Sequence, residues 1–282
     1  MDARRCPHAS RSSVTKRPDA TSLRWYTPPD GEASAGPTLL WLHGGGFFRG
    51  SPAQPEAHDV ADSLARHGLT VATTGYRLSP PPGTARASSG AGRACGRFPD
   101  ALNDVVAAYR AVASASPLGV ILGGASAGAC LAAAATLQTL DEGFRPAGAV
   151  FAYGFFHATH QRPQDDRARS QGHRRITHAP WALDLMNRNY AGSRDALANR
   201  LAFAGGHDLT GFPPTLVINA EHDNMRASGD LFARELSSTR VDVEHHVLPG
   251  THHAFLNRPH LDAFASAIDL IATWSLSIHQ RQ

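Results

Sequence analysis

The chain has 282 residues, 42% hydrophobic and 18% charged, ordinary values for a folded domain with a full core. Its net charge of +3 is carried almost wholly by arginine, and acids and bases alternate beyond the N-terminal tail, so no basic stripe for nucleic acid is present. No apolar run reaches the length of a membrane span, and Cys6, Cys95 and Cys130 are too scattered for a disulfide framework, so the expected location is cytoplasmic.

Residues 1–20 are polar and lack the apolar centre of a secretory signal; they read as a disordered tail, with one domain over 21–282. Thr21 to Tyr26 alternates like a strand and ends in the turn Pro28-Pro29-Asp30-Gly31. Thr38 to Leu42 is a short, wholly apolar run, as expected for a strand buried on both faces. It leads into His43-Gly44-Gly45-Gly46, after which Pro55 to His67 reads as a helix. Leu69 to Thr74 is the next strand. The stretch from Pro81 to Arg97 has no periodicity and reads as a loop. A helix opens near Asp100, whose charge there complements the helix dipole.

Leu118 to Leu122 is another buried strand, and Cys130 to Leu140 an alanine-rich helix. Ala147 to Tyr153 follows as a strand. Residues from about 155 to 203 break the pattern, with a helical patch at Trp181 to Tyr190, and read as a small cap insertion. Alternation resumes with a strand at Thr215 to Ala220, a helix at Arg226 to Ser237, a strand at Val241 to Leu248 and a last helix at Pro259 to Ser275. Strands alternating with helices, the strands apolar throughout, predict an α/β fold: a mostly parallel sheet with helices on both faces.

Between the strand at Leu118 and the alanine-rich helix lies Gly124-Ala125-Ser126-Ala127-Gly128. This G-x-S-x-G pattern at a strand-to-helix turn is the nucleophile elbow of α/β-hydrolases. A serine in so sharp a turn needs small residues two positions before and after it. Acyl transfer also requires a base, a group that orients the base, and donors for the oxyanion. Glu221-His222-Asp223 and His252-His253 both follow strands after Ser126, in the serine–acid–histidine order of this fold. Glu221 and Asp223 are alternatives for the acid, and His222, His252 and His253 for the base. The side-chain-free run Gly44-Gly45-Gly46 lets backbone N–H groups approach a ligand, and the N–H of Ala127 is the donor that an elbow supplies.

These motifs, with Tyr76-Arg77-Leu78-Ser79-Pro80 and His253-Ala254-Phe255-Leu256, occur in the order seen in the hormone-sensitive-lipase family of bacterial carboxylesterases. The chain resembles that family from about Leu23 to Trp274. The resemblance implies an α/β-hydrolase with Ser126 as nucleophile, Asp223 as acid, His253 as base and the N–H groups of Gly45, Gly46 and Ala127 as oxyanion hole. It implies hydrolysis of short- to medium-chain acyl esters through an acyl-enzyme; no cofactor is expected. It also suggests homodimers through the edge strand near Val241 to Leu248. Two departures stand out. Only a short polar tail precedes Leu23, which predicts a reduced cap, and Pro81 begins an interposed loop that is expected to line the pocket mouth.

Phe47, Phe48, Phe155, Phe156 and Trp181 are candidates for an acyl pocket, although aromatic residues serve equally as core. An amide or formamide hydrolase on the same machinery is a second reading. A non-catalytic ligand receptor is a third, opposed by the presence of His253. The sixteen histidines include doublets, but no acid or cysteine joins them at ligand spacing, so no metal site is expected.

Overall fold

A computed structural model describes residues 11–16, 22–29, 36–83, 96–160 and 165–278. In chain order the elements are β1 (Arg11–Lys16), β2 (Ser22–Thr27), β3 (Thr38–Leu42), α1 (Pro55–Arg66), β4 (Val71–Thr74), α2 (Asp100–Ala113), β5 (Val120–Ala125), α3 (Ala127–Asp141) and β6 (Gly148–Ala152). The short helices α4 (Arg174–Thr177), α5 (Pro180–Ala191) and α6 (Arg194–Leu197) follow. The chain closes with β7 (Thr215–His222), α7 (Arg226–Ser238), β8 (Val243–His252) and α8 (Asp262–Ser277).

The eight strands form one sheet in the order β1-β2-β4-β3-β5-β6-β7-β8. β1 and β2, and β2 and β4, pair antiparallel; every later pair is parallel. Although β3 is buried along its whole length, its side chains still divide by the strand period of two. Leu40 and Leu42 join the core beneath α2, α3 and α7, while Leu39 and Trp41 join the core beneath α1 and α8. The central helix α3 is buried on nearly every side, which its alanines permit by letting neighbouring helix and sheet approach closely.

One expectation is corrected. The tail without structure does not hold at residues 11–16, which pair with β2 in register from Arg11 opposite Thr27 to Lys16 opposite Ser22. The free edge of β2 presents unpaired N–H and C=O groups, and the flanking chain satisfies them despite its polar composition. The rest of 1–20 lies outside the described residues, as does most of the Pro81 to Arg97 loop, at 84–95. At the other edge, β8 runs past the expected end at Leu248, through Pro249-Gly250, to His252. An edge strand tolerates a proline because one of its sides needs no ladder hydrogen bond.

Sheet order positions the site. From β3 the chain moves to β4 on one side, whereas β5 lies on the other. The connections leaving β3 and β5 lead to α1 and α3 on opposite faces, which opens a crevice at the carboxyl ends of these strands. Between β6 and β7, α5 buries Leu183, Met186, Asn187 and Tyr190, one helical stripe, and leaves Trp181 and Leu185 exposed. Pro180 begins this helix, and Gly192, at φ 78°, ends it in the left-handed conformation.

Candidate active site

Four strand ends meet at the crevice. β5 delivers Ser126, β7 delivers Asp223, β8 delivers His253, and β3 delivers the glycine run. Ser126 has φ 54° and ψ −120°, a conformation that costs a non-glycine residue about 1–3 kcal/mol. Its neighbours show why they must be glycine. A Cβ on Gly128 would lie 2.4 Å from the Leu42 carbonyl oxygen and 2.5 Å from that of His43. A Cβ on Gly124 would lie 2.6 Å from the Gly128 carbonyl carbon. The elbow thus packs directly on the end of β3, bringing the glycine run beside the serine.

Ser126 Oγ lies 3.0 Å from His253 Nε2, and His253 Nδ1 lies 2.6 Å from Asp223 Oδ2. A carboxylate can only accept, so Nδ1 carries the imidazole proton and Nε2 accepts from the hydroxyl. Asp223 is fully buried. Burial works to raise its carboxyl, but the charge and hydrogen bond of His253 and the N–H of Met225, 3.0 Å from Oδ1, outweigh it and hold the carboxyl below its usual range. The competing candidates are engaged elsewhere. Glu221 accepts from the Gly250 N–H at 2.7 Å, and His222 Nδ1 meets the Arg167 carbonyl at 2.6 Å. His252 stands beside His222, with ring centroids 5.2 Å apart.

Gly45 and Gly46 adopt φ of 123° and 62° and line the same cavity as Ser126. Among the described residues, none accepts a hydrogen bond from the N–H of Gly45, Gly46 or Ala127. Ala127 opens the 15-residue α3, whose dipole adds positive potential at that end.

The glycine run is fixed from beneath. Glu56, buried at the start of α1, accepts from the Gly44 N–H at 2.8 Å and from the Tyr153 hydroxyl at 2.6 Å. Gln54 donates to it at 3.0 Å. The Tyr153 ring in turn packs edge-on against His253, 5.0 Å between centroids. Burial, then the Glu56 carboxylate, holds the Tyr153 phenol well above its ordinary value, so it stays a donor. Tyr76 stacks on His43 at 4.4 Å and donates to its carbonyl at 2.8 Å. Arg77 ties this segment to α2 through Asp104 at 3.0 Å and Asp100 at 3.1 Å, so Asp100 serves an ion pair as well as the helix dipole.

The cavity above Ser126 has a volume of about 580 Å³. Its apolar wall includes Phe48, Leu183, Leu185, Met186 and Met225, and Pro82 reaches it from the expected mouth loop. Of the aromatic candidates only Phe48 lines it. Phe47 is buried in the core, stacked on Tyr190 at 3.9 Å, with Phe155 edge-on to it at 5.6 Å. Phe156 stacks on Phe232 at 4.1 Å, and Trp181, 65% exposed, faces outward. His178, on the cavity wall, has its ring 5.0 Å from that of His253. Burial, then the charge of His253, pushes it down to about 4, so it is neutral at pH 7.

A family described as alpha/beta hydrolase fold matches residues 39–257, well over half of the sequence. The chain belongs to the α/β-hydrolase family. This α/β-hydrolase is 32% identical over 257 residues to an ethyl acetate hydrolase of Pseudomonas putida, covering 86% of its own length and 74% of that relative. It is 30% identical over 277 residues to an acetyl esterase of Salmonella agona, covering 90% and 77%. An esterase of Pyrobaculum calidifontis superposes with a TM-score of 0.79 at 27% identity, over 96% of this chain and 86% of that one. A hormone-sensitive lipase from a metagenome library gives 0.78 at 27% identity, with the same coverage. The α/β-hydrolase is therefore a carboxylic ester hydrolase of the hormone-sensitive-lipase-like bacterial esterases.

Proposed function

We propose that this ester hydrolase cleaves short- to medium-chain acyl esters of small molecules through an acyl-enzyme on Ser126. The observation that carries the reading is the continuous chain from Ser126 Oγ to His253 to Asp223, at 3.0 and 2.6 Å. His253 takes the hydroxyl proton as Ser126 attacks the ester carbonyl, and Asp223 holds the ring and stabilises the imidazolium. The N–H groups of Gly45, Gly46 and Ala127 receive the oxyanion. His253 then hands its proton to the leaving alcohol, and water repeats the cycle on the acyl-enzyme. The apolar wall around Phe48 and Met186 takes the carbon chain of the substrate. Relatives named for ethyl acetate and acetyl esters favour the short end of the range.

In the same reading the helices between β6 and β7 act as a small cap, and the outer edge of β8 pairs with a second copy. Scattered cysteines favour the cytoplasm. The test is kcat for activated esters from acetyl to octanoyl, in wild type and Ser126→Ala. The variant is expected to lose about 10⁴-fold or more at every chain length while keeping its circular dichroism. A variant retaining a tenth of wild-type activity would overturn the mechanism.

A further inference from the structure

The charges around the cavity are one-sided. Arg49, Arg174, His173 and His178 share its wall with Ser126 and His253. Glu56 is the one carboxylate among the lining residues, and both its oxygens are engaged by Gly44, Gln54 and Tyr153. Among the described residues no carboxylate lies within 4.0 Å of the guanidinium of Arg49 or Arg174. Of the acids near Arg174, Asp223 is held by His253 and Asp262 lines the second cavity.

Arg174 stands where two cavities meet. The second, about 210 Å³, is lined by Arg174, Arg258, His252 and His253, with Asp262 as its carboxylate. Burial, then the like charge of Arg258, lowers the Arg174 guanidinium from its ordinary value. Arg49, Arg174 and His178 lie on the wall of one cavity, and the Asp223 carboxylate beneath His253 acts on His178 and Arg174 against the arginine charges. That region of the wall adjoins His253, whose ring lies 5.0 Å from that of His178. Arg174 is half-buried with no carboxylate among the described residues in ion-pair contact, which makes it a ready partner for a substrate carboxylate that it can grip with two parallel N–H groups, whereas Arg49 is exposed, its guanidinium 5.7 Å from the Phe48 ring centre.

The mechanism says which half of an ester reaches that region. His253 Nε2 must give its proton to the leaving oxygen, so the alcohol portion lies on the histidine side of Ser126. We infer that the preferred substrates are esters whose alcohol portion bears a carboxylate, gripped by Arg174 and Arg49 beside His178. This specificity rests on the acyl-enzyme reading above and deepens it. Neutral esters would still react, since the bond-breaking groups are the same, but without the grip on the leaving alcohol.

The experiment compares meta-acetoxybenzoate with meta-acetoxybenzamide, which share an acyl group and differ in the charge on the alcohol. In wild type at low salt, kcat/KM for the carboxylate is expected to exceed that for the amide by about 10- to 100-fold, the scale of one charge-assisted hydrogen bond. The ratio should shrink with added salt. It should collapse towards one in Arg174→Gln and survive in part in Arg174→Lys. Product inhibition by meta-hydroxybenzoate, tighter than by meta-hydroxybenzamide in wild type, keeps the inference testable if the variants fail to fold. Wild type that cleaves both esters equally, or an unchanged ratio in folded Arg174→Gln and Arg49→Gln, overturns the inference and leaves the esterase reading standing. Wild type that cleaves neither ester overturns the reading on which it rests, and the inference with it.

Discussion

Glu56 is the side chain whose removal tests most sharply how the site is held. In Glu56→Ala three donors lose their acceptor: the Gly44 N–H, the Tyr153 hydroxyl and the Gln54 amide. Gln54 is only part-buried and can turn to water, but Gly44 and Tyr153 are buried. Each buried donor left unsatisfied costs about 1–3 kcal/mol, so the pair costs about 2–6 kcal/mol. Against a total stability on the order of 5–15 kcal/mol this is a severe loss. Glu56→Gln keeps one carbonyl oxygen and mismatches a single bond, so its cost should be about 1–3 kcal/mol. Catalysis reports separately. Gly44 precedes Gly45 and Gly46, so slack at Gly44 should move the proposed oxyanion donors and lower kcat with little change in KM. The expected fall for Glu56→Gln is about 10- to 100-fold, below the 10²–10³ seen when a whole oxyanion donor is deleted. Urea denaturation followed by tryptophan fluorescence, together with steady-state kinetics, measures both. If Glu56→Ala lost under about 1 kcal/mol and kept wild-type kcat, the reasoning would be refuted.

A methyl group at residue 128 would sit 2.4 Å and 2.5 Å from two backbone oxygens of β3 and the loop after it, atoms that cannot swing aside as a side chain can. Gly128→Ala should therefore destabilise by about 1–3 kcal/mol and lower kcat, read by thermal melting and ester hydrolysis. His178 gives a pH signature. Its folded value of about 4 lies below the unfolded value of 6.5, so the unfolded chain binds the extra proton between these pH values. Stability should fall as pH drops from about 6.5 towards 4, and the fall should be shallower in His178→Gln, measured by urea titration at each pH. Parallel pH slopes for the two proteins would contradict the neutral, half-buried placement of His178.

Much of this was legible because the signals were local and redundant. Ser126 needed only two small neighbours and a strand before it. The apolar runs at Thr38, Thr215 and Ala147 are buried on both faces, so their strand character shows without any partner. The choice of Asp223 over Glu221, and of His253 over His252 and His222, came from family resemblance; in space it comes from which side chains the ends of β7 and β8 turn inward. What stayed hidden depends on distant partners. Arg11 to Lys16 is polar, and only the bare edge of β2 makes it a strand. Glu56 has the look of an ordinary acid in the first turn of a helix, and its role appears once Gly44 and Tyr153 arrive from other strands. Phe47 and Phe155 carry no mark in the sequence separating core from cavity wall; Tyr190, from α5, covers Phe47 and decides it.

The most direct measurement is covalent. Treatment with a fluorophosphonate, followed by peptide mass mapping, should place one phosphonyl group on Ser126, in step with the loss of esterase activity. His253→Ala should label far more slowly, because nothing then takes the hydroxyl proton. Complete inactivation with Ser126 unmodified, or a group found on another residue, would contradict the account.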